Sequence, residues 1–383
     1  MPSVVLPRAD GSTYCRELNE PVAVPSSGAA PAARKGYAAA HVVADPLRAA
    51  SEGSAVDWGA TLEVRRRLWR LGLGVAEAMD TAQRGMGLPW EAVRELVTRT
   101  LSAAEAEGGD VVVGVSTDQL PAGPAKLEEV VAAYREQLDL VQEHGGRAVL
   151  MASRQLAASA RDPQDYVDVY ARLIEHSERP VVLHWLGEAF DPQLRNYWGY
   201  QDLDEAQKLV LSLIEDHADR VEGIKISLLD AAREVEIRDA LPQGVRLFTG
   251  DDFNYVDLIE GDENGHSDAL LGAFAAIAPV AAEALRRLDV DDAAGYRTLL
   301  EPTLPLSRKL FEAPTYYYKT GVVWLAYLSG LQSHFRMVGG LESGRTVVHL
   351  VELAELADEL GLFPDPDLTA VRLAGFLRTH GIG

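Results

Sequence analysis

From Gly36 onward the chain alternates two kinds of pattern. Short, nearly unbroken apolar runs such as Val111–Val115 and Val181–Leu183 predict strands buried on both faces, as in a parallel sheet. Longer stretches in which apolar residues recur every three or four positions predict helices with one buried face. Strands are expected at Tyr37–Ala44, Leu73–Met79, Asp110–Val115, Arg147–Ala152, Pro180–Trp185, Val221–Ile226 and Val245–Thr249, with a faintly patterned eighth at Gly265–Leu271. Helices are expected between them at Asp57–Leu71, Pro89–Glu107, Pro124–His144, Pro163–His176, Asp202–His217, Ser227–Ala240 and Ala273–Leu288. Asp57, Asp162-Pro163 and Asp202 suit helix entry, because a carboxylate accepts the backbone N–H groups that a first turn leaves unpaired.

A strand-then-helix unit repeated about eight times closes naturally into a (β/α)8 barrel. The competing doubly wound sheet wants a glycine-rich turn after its first strand. This chain has Ala38-Ala39-Ala40-His41-Val42-Val43 there. The expected organisation is therefore a barrel over 36–297, preceded by a hairpin and linker over 1–35 and followed by a helical region over 298–383. Val4–Leu6 and Thr13–Leu18 flank an Asp10-Gly11 turn, and Pro21 to Ala33 reads as linker. In the last region Arg297–Phe311, Tyr317–Leu331, Ser343–Glu359 and Leu368–Thr379 read as helices that pack on the barrel or on a partner subunit.

Composition narrows the partners. The chain of 383 residues is 47% apolar and carries a formal net charge of −22. So acidic a surface repels nucleic acid and anionic lipid, and no apolar run approaches the length of a membrane helix. One cysteine, Cys15, allows neither an intrachain disulfide nor a cysteine metal site. The first thirty or so residues lack the continuous apolar core of a signal peptide. A cytoplasmic protein acting on a small molecule is expected.

Barrel chemistry sits where strands end. The candidates there include His41, Glu77, Asp80, Thr81, Arg84, His184, Lys225, Asp251, Asp252 and His266. Lys225 stands out. Strand alternation puts Ile224 and Ile226 toward the helices and Lys225 into the barrel. A desolvated lysine loses its charge readily, and the neutral amine can form a Schiff base with a carbonyl compound. On pattern alone a structural lysine paired with Glu77 or Asp251 is an equal reading.

The stretch Gly223-Ile224-Lys225-Ile226-Ser227, running on to Asp230, resembles the Schiff-base strand of the dihydrodipicolinate synthase / N-acetylneuraminate lyase family of class I aldolases. Thr249-Gly250-Asp251-Asp252 is similar to that family's Ser-Gly-Asp-Asp, Gly265 to Pro279 to its glycine-rich eighth unit, and Pro180 to Trp185 to its fifth strand. The likeness spans about residues 36–340 and is strongest from 180 to 280. It implies a lyase, without a cofactor or metal, in which Lys225 forms the imine, and a homo-oligomer, dimer or tetramer. Where the family has a proton-carrying tyrosine, this chain has His184, an imidazole that can also move protons. The family's arginine a few residues later is replaced by Gly187-Glu188-Ala189. Its carboxylate-binding Gly-Thr-Thr-Gly-Glu is replaced by Met79-Asp80-Thr81-Ala82-Gln83-Arg84-Gly85, which keeps only Thr81; Asp80 would repel a carboxylate, and Arg84 either substitutes as the anion contact or pairs with Asp80. Thr81, Asp80, Arg84, His41 and Asp251 are the expected substrate contacts. Asp251 and Asp252 also read as caps of the next helix, and Tyr316-Tyr317-Tyr318-Lys319 as a packing cluster. No phosphate-binding glycine loop follows the seventh or eighth strand, so a non-phosphorylated substrate is expected, with cleavage, condensation and dehydration all open. Two other classes compete: a metal-dependent isomerase or hydrolase using His41, Glu77, Asp80, His184, Asp251 and His266, and a non-catalytic barrel that binds a metabolite.

Overall fold

The computed structural model describes residues 1–24, 28–48 and 55–382; the centre of the expected linker, 25–27, lies outside them. Two strands, β1 (Ser3–Pro7) and β2 (Thr13–Glu17), form an antiparallel hairpin. Gly11 takes a left-handed φ of 83° at its turn, a conformation that costs glycine nothing. Eight parallel strands then close a barrel: β3 (Gly36–Ala39), β4 (Gly74–Glu77), β5 (Val111–Val115), β6 (Arg147–Leu150), β7 (Val181–Leu186), β8 (Val221–Ser227), β9 (Arg246–Thr249) and β10 (Asp268–Leu271). β10 pairs with β3 and with β9, which completes the ring.

Several strands are shorter than the apolar runs, β3 and β10 most of all. β3 stops at Ala39 because its continuation finds other partners: Arg65 takes the His41 carbonyl and the Thr61 hydroxyl accepts from Val43 N–H at 3.0 Å. β10 begins only at Asp268, since Gly265 and Ser267 bond locally, to Asp262 N–H and the Leu258 carbonyl, each at 2.9 Å. His266, Ser267 and Asp268 therefore lie at the amino-terminal end of the barrel, not at the carboxyl end where the sequence pattern placed them. The helix expected over Ala273–Leu288 breaks at Ile277 into Ala273–Ala276 and Ala278–Leu288. Pro279, in the first turn of the second piece, has no N–H to continue the first. The helix expected over Arg297–Phe311 divides likewise, into Ala293–Leu300 and Leu304–Leu310 around Pro302. Two short helices lie outside the expected pattern, Arg154–Ser159 and Tyr255–Glu260.

Side chains of alternating strand positions fill the barrel: Tyr37, Ala76, Val112, Val149, Val182, Phe248 and Leu270 are all buried there. Below them charges close the amino-terminal end, with Glu222 bonded to Lys35 at 3.1 Å and to Arg147 at 3.0 Å, and Asp268 to Arg246 at 2.6 Å. The last helices, Tyr318–Leu328, Val347–Glu359 and Pro366–Thr379, pack around Trp324, whose indole donates to the Leu350 carbonyl at 2.8 Å. The hairpin docks on them through Arg16 and Asp358, 3.1 Å apart. No helix among the described residues is long and apolar enough to cross a membrane.

Candidate active site

β8 places Lys225. Ile224 and Ile226 are buried toward the helices, 0% and 1% exposed, so alternation turns Lys225 inward. The register sets His184 beside it on β7 and Phe248 beside it on β9. Glycines make room: a Cβ on Gly250 would come within 2.7 Å of Lys225 Cε, and one on Gly223 within 2.8 Å of the Phe248 ring. The carboxylates that would give Lys225 a structural role are engaged elsewhere. Glu77 faces outward and holds Arg65 through two hydrogen bonds of 2.8 Å. Asp251 accepts from Phe253 N–H at 2.9 Å and from the Asn254 N–H and side chain at 3.1 and 2.9 Å, fixing the entry to helix Tyr255–Glu260.

The Lys225 amine forms no hydrogen bond or ion pair among the described residues. It is 7% exposed. Burial lowers its pKa, and the nearby carboxylates Asp80 and Asp252 work against that fall. Asp252 is itself buried, which raises its pKa, while Ala273 N–H donates to it at 2.9 Å. Desolvation thus favours the free amine of Lys225 more than water would. His184 is fully buried, with Nε2 3.2 Å from Ser227 Oγ and no partner for Nδ1. Burial first, and the Lys225 charge second, hold its pKa well below the usual range, so it is a neutral imidazole.

The loop after β4 supplies the opposite wall. Ala78 and Gln83 take left-handed φ values of 52° and 66°, a costly conformation for residues with a Cβ. Between them lies one 3-10 turn, Asp80–Ala82. Thr81 Oγ1 is 2.6 Å from the hydroxyl of Tyr318. That tyrosine comes from the C-terminal helical region and stacks on Phe311 at 4.3 Å between ring centres. Burial, then the Asp80 charge, pushes its pKa well above 10.0. Sequence reasoning misses Tyr318 as a site residue because its cluster reads as packing. The available signal is the polar pair Tyr318-Lys319 opening a helix that is otherwise almost wholly apolar.

Lys225, His184, Asp80 and Thr81 thus gather at the carboxyl end of the barrel, together with Asp252 and Tyr318. The remaining expected contacts are placed differently. All five N–H groups of Arg84 are spent, on Asp118, the carbonyls of Ala78 and Gly114, and Gln137; its partner is Asp118 and not Asp80. His41 lies under the C-terminal region with Nε2 3.0 Å from Gln332 Oε1, its pKa lowered by burial, then by the Arg65 charge, to about 4. A cavity of about 200 Å³ opens beside Asp80, lined also by Ser116, Arg154, Gln155 and Asp191. Among the described residues no three His, Cys, Asp or Glu side chains come together as a metal site.

The fold is that of several solved structures. One is a putative dihydrodipicolinate synthetase from Pseudomonas aeruginosa, at TM-score 0.65 and 18% identity, covering 86% of this chain and 100% of that one. Another is the dihydrodipicolinate synthase of Aquifex aeolicus, at TM-score 0.64 and 14% identity, over 86% and 99% of the two chains. The chloride-inhibited synthase of Acinetobacter baumannii, complexed with pyruvate, matches at TM-score 0.62 and 16% identity, over 86% and 99%. At these identities the likeness establishes the barrel and its added helices. No curated protein matches the sequence. Residues 4–382 match the model of the family described as "Protein of unknown function (DUF993)", and the chain belongs to that family.

Proposed function

We propose that the protein is a lyase of the class I aldolase type, acting on a non-phosphorylated carbonyl compound through an imine on Lys225. The observation that carries this reading is the lysine itself: buried at the carboxyl end of a barrel, with lowered basicity and no ion-paired partner among the described residues. The free amine adds to the substrate carbonyl, and loss of water gives an iminium ion. That ion draws the electron pair of the neighbouring C–C bond, which breaks as the departing fragment's hydroxyl loses its proton and becomes a carbonyl, or the pair of a neighbouring C–H bond, after which the enamine expels a β-hydroxyl as water. One proton must therefore leave the substrate and one must reach the enamine carbon or the departing hydroxyl. Neutral His184 beside the lysine can accept the first, and the Tyr318–Thr81 hydroxyl pair facing Asp80 can carry the second. Water returns the amine by hydrolysis of the imine.

The test is turnover of a panel of sugar-derived oxo compounds by wild type, Lys225→Arg and Tyr318→Phe. Lys225→Arg is expected to lose turnover completely. Tyr318→Phe should lower kcat about a hundredfold or more, the usual worth of a positioned proton donor, while still forming the adduct. Full activity in Lys225→Arg would end the proposal.

A further inference from the structure

The loops after β4, β5, β6 and β7 enclose the cavity of about 200 Å³ beside Asp80. Both arginines in its lining are already paired with a carboxylate of the same lining. Arg84 gives two N–H groups to Asp118, and its others to the protein as well. Arg154 gives its Nε–H to Asp191 at 2.5 Å. Other groups stay open. Among the described residues the Asp80 carboxylate has neither a hydrogen bond nor an ion pair. Only the N–H of Ser116 is engaged, by Gln137 at 2.7 Å, so its hydroxyl is free. The exposed Gln193 amide is free too. Arg154 reaches the Gly85 carbonyl only at 3.5 Å, which leaves its Nη groups with donors to offer. Gly85 makes room for that guanidinium: a Cβ there would stand 3.0 Å from Arg154 Nη1. Between the polar groups, Leu120, Met151, Leu186 and Leu194 supply apolar wall.

The open groups set the chemistry of a ligand. Asp80 only accepts, Arg154 only donates, and Ser116 and Gln193 do both. An anion suits Arg154 but meets the unpaired charge of Asp80. An ammonium suits Asp80 but meets Arg154, and it offers its donors no acceptor. A hydroxyl donates, accepts and carries no charge, so adjacent hydroxyls satisfy all of these groups. We propose that the cavity binds a short neutral polyol, its hydroxyls on Asp80, Ser116 and Arg154 and its C–H faces on the apolar wall. The cavity has room for about six or seven waters at ~30 Å³ each, which suits a chain of about three or four hydroxylated carbons. Binding there needs no imine on Lys225.

The experiment is a saturation-transfer NMR titration of the full chain with three probes of equal length. They are erythritol, erythronate, in which one terminal carbinol is a carboxylate, and 4-amino-1,2,3-butanetriol, in which one terminal hydroxyl is an ammonium. Erythritol should bind wild type about tenfold or more tightly than erythronate, the effect of one like-charge contact beside a partly solvated carboxylate, and at least as tightly as the aminotriol. In Asp80→Asn the preference over erythronate should fall below about threefold. Ser116→Leu, which fills the cavity, should abolish erythritol binding. Arg154→Met should weaken it about threefold or more; that side chain is 36% exposed, so this variant keeps the test open should Ser116→Leu disturb the circular dichroism spectrum. No saturation transfer to erythritol in wild type, tighter binding of either charged probe, an undiminished preference in Asp80→Asn, or unchanged erythritol binding in folded Ser116→Leu and Arg154→Met would each overturn the inference.

Discussion

An amine adds to a carbonyl only as the free base, so under the proposed imine mechanism the ionisation of Lys225 sets the pH dependence of adduct formation. Burial holds its pKa below the ordinary value of 10.5, and Asp80 and Asp252 pull it part of the way back. The rate of adduct formation is expected to rise with pH and to reach half its maximum clearly below 10.5. Replacing Asp80 by Asn removes a negative charge that favours the ammonium, so the midpoint should move to lower pH. A midpoint that stays at 10.5 in wild type, or moves upward in Asp80→Asn, would contradict this picture; the rate of trapping across a pH series decides. The lysine is legible in the sequence because strand alternation is a local rule. Its surroundings are only partly so. His184 sits on the neighbouring strand β7 and Asp80 in the loop after β4, and strand ends can be read off the pattern. Tyr318 and Lys319 cannot be found that way, since they enter the mouth from a helix beyond the barrel and only the folded chain shows which helix covers it.

Among the elements, β4 and the helix Trp58–Arg70 are joined by an ion pair without solvent access. Arg65 and Glu77 are both 0% exposed, and Thr100 adds a hydrogen bond of 2.6 Å to the same carboxylate. Removing one member leaves the other charge buried and unpaired, at a cost of about 3–5 kcal/mol, whereas replacing both by apolar groups costs far less. Arg65→Met should accordingly lower the denaturant midpoint strongly, and Arg65→Met with Glu77→Met should recover most of it; a double variant as unstable as the single one would show that packing, not the unpaired charge, is at stake. The elements themselves are readable from periodicity, and the helix Pro163–His176 has the bounds expected of it. Their ends are not. β3 stops where side chains of Arg65 and Thr61 capture its backbone, and β10 starts late because the preceding loop bonds to itself. Such captures are tertiary events that an apolar run does not announce. For the same reason the sequence pattern assigns His266 to the wrong end of the barrel.

At the scale of the molecule, the hairpin, the barrel and the C-terminal helices divide the labour. The barrel presents strand ends, and the hairpin clamps the helix Val347–Glu359 through Arg16, Asn19 and Asp358. That helix in turn backs the helix carrying Tyr318 and Lys319, so one chain assembles both walls of the candidate site. The central claim is that Lys225 forms a covalent imine, and the most direct measurement is peptide mapping of protein reduced with borohydride in the presence of a carbonyl substrate. A single modified peptide is expected, containing Lys225, with a mass increase equal to the substrate less one oxygen. No modified peptide is expected from Lys225→Arg. Modification confined to surface lysines, equal in wild type and Lys225→Arg, would contradict the claim.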